Sequence, residues 1–470
     1  MGSISTLFDM SRGALVADQS ALNATANNVA NQNTAGYTDQ VVSFQATDTV
    51  TLNGTQFAGA PTATTTSTRD RVLEQRVQQQ MQLQSASSAE SDAMTQIQNA
   101  FGVTGSGTSA GSTQLGTALN SFFGSLTALA GNPADAATQQ GVLSAANVLA
   151  STFNSAAAQL TSVQTTLNSN LSSSVTAVNA LTKTIAGLNQ QISSTSPNGD
   201  AGTLEDQRQL AIEQLSQYVG LDQITTQGNG ITLTTQGGSV LVQGSTASAL
   251  SAVTIQGGQY TTAPTTEILD SSGNNISAGI HGGSIGGQLT AQNVDLPAAV
   301  LSLNNLTMQV GVAVNTQNAA GLTTTGAPGG AIFSWPGSPA AGIFVGVSNP
   351  SAIASAAAGQ GESGNGNADA LANLSQVTNS SGQTISGSLS VMLAQVGASA
   401  SSLAEQTTTQ QASLTQLTTQ RDSLSAVSLD TEAANLSQYQ KSYQAAAQLL
   451  TVLDSLMATA INLGQQTTVS

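Results

Sequence analysis

The sequence predicts a mainly α-helical protein with a β-rich insertion, built from terminal coiled-coil-like helices, a long helical bundle and a small β section in the middle. Near both ends of the chain, and again over residues 134–194, apolar side chains recur at spacings of three, four and seven, as on one face of an α-helix. Between residues 224 and 289 the apolar period changes to two, which is typical of strands.

The first helix is predicted over residues 4–30, where large apolar residues are separated by alanines. Its end is predicted in residues 31–37, NQNTAGY, because Asn and Gly tolerate the left-handed conformation that terminates many helices. Residues 38–68 are predicted to be extended chain and loop. A second helix is expected over 69–100, ending in the glycine-rich stretch 102–111.

Helical periodicity resumes at 113–130 and, after a turn at 131–133, continues from 134 to 194 without a proline. A pattern this long without capping residues indicates a coiled coil or a helical bundle. The residues SPNG at 196–199 predict a turn, and residues 203–219 predict one more helix.

The β section is predicted from a hairpin in which ITLT at 231–234 and VLV at 240–242 flank Gly237 and Gly238. Further short strands are expected up to the glycine-rich run at 282–287. Residues 297–317 predict another helix, and 321–347 are rich in Gly and Pro. After a polar link at 358–368, helices are predicted to start at Ala368, at Leu389 and near Ser401, with the last running through Arg421 towards the C-terminal segment.

The C-terminal segment, residues 424–463, carries an apolar stripe interrupted by one charged residue, Glu432. Its members are Leu429, Leu436, Tyr439, Tyr443, Ala446, Leu450, Leu453, Met457 and Ala460. The opposite face is polar, so an isolated helix would leave the stripe in water. We therefore expect this segment to be mobile alone and to become ordered against another helix.

These elements predict three structural units. Terminal helices from 1–68 and 424–470 pair as a rod, 69–221 and 291–423 form the bundle, and 222–290 form the β-rich section. An outer variable domain is expected to be short or absent, at residues 321–360.

Composition limits the possible functions. The chain has 470 residues, 24 acidic and 8 basic, giving a net charge of −16. This excess of negative charge argues against binding to nucleic acid or to an anionic membrane. The absence of cysteine excludes disulfides, thiolate metal sites and thiol nucleophiles, and it suits a protein that works outside the cell.

The N-terminus does not predict a cleavable secretory signal, because residues 1–12 lack a basic segment followed by an apolar run. No window of about eighteen apolar residues predicts membrane insertion. An extracellular location would therefore require an export route that reads an uncleaved N-terminus.

No residue pattern predicts catalysis, a metal site or a cofactor. His281 is the one histidine and is expected in a loop, since metal sites need several donors. Glu205, Asp206 and Arg208 resemble a catalytic set, but a charged helix start on the surface explains them better. The glycine runs lack the Lys of a phosphate-binding loop, and no serine elbow has a usable base, so we expect no enzyme activity.

Two terminal motifs resemble those of bacterial flagellar axial proteins. ANNVANQNTAGYT at 26–38 resembles the N-terminal signature of rod, hook and hook-associated proteins. VSLDTEAANL at 427–436, followed by YQKSYQAAA at 439–447, resembles the matching C-terminal signature. Five short segments in the middle of the chain resemble the family of the first of the two hook-associated junction proteins. They lie at 204–210, 239–244, 282–289, 315–317 and 365–374.

The resemblance implies a structural protein that is exported unfolded through the flagellar type III apparatus, with the help of an export chaperone. It would lie outside the cell at the hook–filament junction and contact copies of itself, the hook protein and the second hook-associated junction protein. Another axial protein shares the terminal motifs, so the hook protein and the second junction protein remain alternatives. An acidic secreted adhesin and a hydrolase are further alternatives from other classes.

The candidate assembly interface combines the apolar stripes with polar residues at the end of the first helix. Burial of these stripes within a single chain is the alternative to packing between subunits, and Asn28, Asn31 and Asn33 are most simply helix-end residues. The predicted interface residues are Ile4, Leu7, Phe8, Leu15, Leu22, Val29, Asn28, Asn31, Gly36, Tyr37, Leu429, Leu436, Tyr439, Tyr443, Leu450, Leu453 and Met457.

Overall fold

The computed structural model describes residues 2–34, 36–46, 50–52, 55–57, 59–103, 109–195, 202–227, 230–255, 264–361 and 363–466. The predicted turn at 196–199 lies outside these ranges, as do the central residues of the glycine-rich stretch 102–111 and the side chains of Ile4 and Ala460. Among the helices in these ranges, none combines the length and the hydropathy needed to span a membrane.

The N-terminal part consists of a long helix followed by a β-hairpin. The elements are α1 (Gly2–Asn31), β1 (Gln40–Ala46), β2 (Val50–Leu52), β3 (Thr55–Phe57) and β4 (Pro61–Ser67). Strands β1 and β4 pair in antiparallel register from Gln40 opposite Ser67 to Ala46 opposite Pro61, and β2 pairs with β3. The helix and the extended chain are confirmed, and the structure adds the pairing.

Four helices follow, and they are the predicted ones to within two residues at each described end: α2 (Arg71–Ala100), α3 (Gln114–Gly131), α4 (Ala136–Thr195) and α5 (Thr203–Tyr218). Asp70 caps α2 by accepting hydrogen bonds from Val72 N at 2.9 Å and Leu73 N at 3.1 Å. Thr113 caps α3 in the same way. Helix α4 runs for 60 residues and contacts α2, α3, α5 and α7 (Leu296–Ala320).

The β section contains a four-stranded antiparallel sheet and a separate hairpin. Its strands are β5 (Leu221–Gln227), β6 (Gly230–Thr235), β7 (Val240–Gln243), β8 (Thr246–Ala247), β9 (Ser251–Ile255) and β10 (Thr265–Leu269). The sheet order is β5-β6-β7-β8, and β9 pairs with β10. The predicted hairpin around Gly237 and Gly238 is therefore confirmed.

The predicted end of the β section at 282–290 is wrong. Residues Gly283–Thr290 form a helix, α6, which continues through a π-helical turn, Ala291–Asp295, into α7. The glycines serve close helix packing instead of strand formation, because a Cβ at Gly287 would clash with the backbone of Ala86 in α2.

The C-terminal part contains two short strands and four helices: β11 (Phe333–Ser334), α8 (Pro339–Gly342), β12 (Phe344–Val345), α9 (Gly366–Asn373), α10 (Ile385–Ser425) and α11 (Leu429–Gln466). The separate helix starts predicted at Leu389 and Ser401 are wrong, since α10 is one helix of 41 residues packed along α2. The prediction that this helix runs through Arg421 towards the terminal segment is confirmed. The chain leaves α10 at Ser425, so Leu424 belongs to α10 and α11 starts at Leu429.

Two hydrophobic cores share α4. The first includes Phe122, Phe153 and Phe333, with the rings of Phe122 and Phe333 edge to face at 5.5 Å. The second lies between the C-terminal half of α4, α5, α6 and the sheet, and includes Leu233. Along α4, Leu167 belongs to the first core and Leu171 to the second.

Candidate assembly interface

Helices α1 and α11 lie against each other and form what we call the terminal pair, and the β1–β4 hairpin packs on it. The Phe44 ring of β1 lies 5.9 Å from the Tyr439 ring of α11. On α1, a Cβ at Gly13 would come within 2.6 Å of the Ala60 Cβ, so this glycine permits close approach of the hairpin. The two ends of the chain therefore meet within one molecule.

Small residues form the buried seam of α1. Ala17, Ala21 and Ala24 are buried, although the sequence analysis treated the alanines only as spacers between the larger apolar residues. The predicted large residues are less covered. Phe8, Leu15 and Leu22 are partly buried, whereas Leu7 and Val29 are exposed.

On α11 the predicted stripe is only partly covered by α1. Leu453 is buried, at 6% exposure, while Tyr439, Leu450 and Met457 are partly buried. Leu429, Leu436 and Tyr443 are exposed. The apolar face is therefore wider than one partner helix can cover.

Sequence reasoning missed a second line of exposed apolar residues on α11: Leu449, Val452 and Leu456. Val452 is 55% exposed and Leu456 51%. The spacing of three and four from Leu449 to Val452 and Leu456 was the available signal. It was overlooked because these residues lie next to the stripe through Leu450 and Leu453. Exposed apolar flanks of this kind are typical of surfaces that pack against a further partner.

A partly buried polar contact fixes the register of the terminal pair. The Ser442 hydroxyl of α11 donates a hydrogen bond of 2.8 Å to the Asp18 carboxylate of α1. Asp18 is buried among the seam alanines. Sliding one helix along the other would leave this carboxylate without its partner, which is costly at a buried position.

Asn28 lies at the base of the terminal pair and is fully buried, at 0% exposure. Its Nδ2 donates to Asp39 Oδ1 at 2.7 Å and to Gln40 O at 3.0 Å. Its Oδ1 accepts from Tyr37 OH at 2.8 Å and from Gln40 N at 3.1 Å. Asn28 therefore shapes the turn from α1 into β1 from inside one chain, and its side chain is not presented to a neighbour.

The other polar members of the predicted set also stabilise this turn. Asn31 Nδ2 donates to Asn27 O at 3.0 Å, as expected of a helix-end residue. Gly36 has a φ of 78°, a left-handed conformation that favours glycine. Burial raises the pKa of Tyr37 to about 12, with further contributions from Asp206, Asp39 and Glu432, so the hydroxyl remains a neutral donor to Asn28.

A cluster of charges lies where α2, α5 and α10 meet. Asp206 accepts hydrogen bonds from Thr38 Oγ1 at 2.8 Å and from the Arg69 guanidinium. Arg421 Nη1 lies 2.8 Å from Glu213 Oε1.

The prediction that Asp206 and Arg208 are surface charges is wrong, because both are buried and Arg208 donates to Asn189 Oδ1 at 3.0 Å. Residues two apart on a helix do not face each other, so each needed its own partner.

His281 lies exposed in a loop, as predicted, and its backbone N–H donates to Gln236 Oε1 at 3.3 Å. In the part of the chain that the structure describes, no three His, Asp or Glu side chains come together as a possible metal site. The described polar clusters tie helices to one another.

The two ends and the middle of the chain each match known families. The family described as "Flagellar hook-associated protein FlgK helical domain" matches residues 94–333. The family "Flagellar basal body rod FlgEFG protein C-terminal" matches 420–463, and "Flagella basal body rod protein" matches 8–38. These ranges include both terminal motifs and four of the five central segments that carried the resemblance, whereas the segment at 365–374 lies outside them.

Curated relatives extend the match over the whole chain. The chain is 30% identical over 502 residues to the flagellar hook-associated protein 1 of Bacillus subtilis strain 168, covering 97% of both chains. It is 30% identical over 338 residues to the protein of the same name from Escherichia coli K12, covering 70% of this chain and 60% of the relative. The second relative is therefore longer outside the aligned part.

A solved structure supports the fold. The flagellar hook junction protein FlgK from Burkholderia pseudomallei matches with a TM-score of 0.65 at 18% identity, covering 74% of this chain and 99% of that chain. This likeness bears on the fold alone and confirms the mainly α class with a β insertion. Together with the full-length relative, the family matches show that the chain belongs to the flagellar hook-associated protein 1 family and is a structural component of the flagellum.

Proposed function

We propose that the chain forms the junction between the flagellar hook and the filament. The names of its relatives support this role, since they are hook-associated proteins and the solved relative is a hook junction protein. In this role the chain lies outside the cell and contacts the hook protein, the second hook-associated junction protein and copies of itself. It leaves the cell through the flagellar type III apparatus after binding an export chaperone.

The observation that carries the proposal is the incomplete burial of the terminal pair. Leu449, Val452 and Leu456 remain exposed on one side of the covered line, and Leu436 and Tyr443 on the other. Burying such side chains is worth on the order of 1.5–3 kcal/mol each, so neighbouring subunits gain stability by covering them. Packing of this kind couples the ordering of the ends to assembly.

The geometry of such packing favours an extended assembly. The exposed flanks of α11 differ from the surface of the bundle that a neighbour would present, so the contact is heterologous and continues with helical symmetry. The predicted apolar members Leu7, Val29, Leu429, Leu436 and Tyr443 belong to this surface because they are exposed. Asn28 is buried beneath this surface and supports it by shaping the turn from α1 into β1.

We also propose that the chain is organised in three units: the rod from 1–68 and 424–470, the bundle from 69–221 and 291–423, and the β section. The contacts between α1 and α11 support the rod, and the second core supports the β section up to β10. The role that we propose rests on packing between subunits and needs neither catalysis nor a cofactor.

Removal of residues 450–470 tests the proposed mechanism. We expect the truncated protein to be secreted and soluble, to keep the helical circular dichroism of the bundle, and to fail to restore motility in a strain lacking its own copy. The full-length protein, expressed at the same level, is the control. Normal motility of the truncated form would refute the mechanism.

A further inference from the structure

The connections between the terminal pair and the bundle meet at one place. Asp39, which follows α1, donates its backbone N–H to Ser425 O at the end of α10, at 2.9 Å. Thr68, which precedes α2, donates its backbone N–H to Asp39 O, also at 2.9 Å. We call this region the joint, comprising residues 36–39, 67–74, 206–213 and 421–428.

Helix α5 stabilises the joint through hydrogen bonds and ion pairs made from one of its faces. Asp206 holds Thr38 and Arg69, and Glu213, two turns further along α5, holds Arg421 of α10. One helix of the bundle thus binds the segment after α1, the start of α2 and the end of α10. The orientation of the terminal pair on the bundle depends on these contacts.

The charges in the joint do not balance. Three carboxyl groups, on Glu74, Asp206 and Glu213, face only two guanidinium groups, on Arg69 and Arg421. Asp422 adds a more exposed carboxylate 3.0 Å from Arg421. Arg208, also on α5, is bonded to Asn189.

Glu74 is the carboxyl group with the weakest compensation. Arg69 Nε lies 3.0 Å from Glu74 Oε1, but the alignment is not that of a hydrogen bond, since Arg69 directs its guanidinium to Asp206. Burial raises the pKa of Glu74 to about 7. Arg69 and Arg421 oppose that rise, and Glu213 and Asp206 add to it.

We propose that the joint is a proton-sensitive latch, closed while Glu74 is neutral and loosened when Glu74 ionises. An ionised Glu74 competes with Asp206 for Arg69 and repels both carboxylates of α5. Folding raises the pKa of Glu74 from 4.5 to about 7. The stability that the latch gains from a neutral Glu74 is therefore complete below about pH 4.5 and is lost as the pH rises through about 7. The latch does not depend on which flagellar partners the chain binds.

Hydrogen–deuterium exchange of the full-length chain tests the latch at the Asp39 and Thr68 amides. After correction for the intrinsic exchange rate, we expect their protection to fall about tenfold more than that of core amides such as Phe153 between about pH 6 and pH 8.5. In Glu74→Gln this additional fall should disappear, because the neutral amide cannot ionise.

Glu90→Gln is the matched control, because Glu90 lies on the same helix and burial, followed by Asp295, raises its pKa to about 6. This variant should keep the fall at Asp39 and Thr68. Glu74→Met provides a second neutral variant, and circular dichroism checks that each variant folds. An unchanged fall in both neutral Glu74 variants, no fall in the wild type, or unprotected amides at pH 6 would overturn the proposal.

Discussion

At the base of the terminal pair, Asn28 binds Asp39, Tyr37 and the backbone of Gln40. The sequence placed Asn28 correctly at the end of a helix, as it did Asn31. It did not indicate that Asn28 would be fully buried while Asn33 remains exposed. Both belong to the same short polar run, and only the return of β1 distinguishes them. Local sequence cannot specify that return.

We predict that Asn28→Ala destabilises the protein by about 2 kcal/mol, because it leaves the partly buried Tyr37 hydroxyl and Gln40 N–H without their acceptor. Urea unfolding followed by circular dichroism measures the change. Asn33→Ala, at an exposed position in the same run, should have almost no effect. Equal midpoints for the two variants would contradict the role assigned to Asn28.

The long helices were predictable because each repeats its apolar period over many turns and has clear ends. Helix α4 is the best case, with 60 residues between the two turns that the sequence predicts. Helix α6 was missed because its glycines, which usually indicate turns or bulges, serve contact with α2. The continuity of α10 was missed at residues 397–402, GASASS, where small and polar residues interrupt the apolar period, whereas in the structure α10 packs along α2 as one helix.

The apolar face of α11 was predictable in part for a related reason. A single apolar line on α11 was evident, and the structure places Leu453 at its centre. The width of the apolar face on α11 was not evident, because the contribution of Leu449, Val452 and Leu456 to that face depends on how much of α11 is covered by α1. That coverage is a property of two helices together.

At the level of this element, we predict that replacing Leu449, Val452 and Leu456 by serine abolishes junction assembly and motility while leaving the folded monomer intact. The three side chains are exposed, so their removal creates no cavity in the monomer. Val148→Ser with Val391→Ser, at exposed positions on α4 and α10, is the control and should swim normally. Motility of the triple variant and thermal unfolding of both proteins are the measurements. Normal motility of the triple variant would show that these three side chains are not part of the interface.

In the whole molecule, α4 links the bundle and the β section. It carries residues of both cores without a break, and Leu167 and Leu171 lie one turn apart in different cores. Separation of the cores would require disruption of this helix. The two cores should therefore unfold together, even though sequence reasoning assigned them to different units.

We predict that Phe122→Ala in the first core and Leu233→Ala in the second each lower the midpoint of the same calorimetric transition. Each removes a fully buried side chain, at a cost of about 2–5 kcal/mol. A variant with a substitution at an exposed position, Val148→Ser, should leave that transition in place. Two separate transitions, each sensitive to only one of the core substitutions, would show that α4 does not couple the cores.

The uninterrupted course of α4 also has a mechanical consequence. At about 1.5 Å per residue its 60 residues form a strut about 90 Å long, with one continuous ladder of backbone hydrogen bonds. Torque that enters the molecule at one end of this strut is transmitted to the other without passing through a flexible hinge. A component that lies between a rotating base and a long propeller benefits from such stiffness.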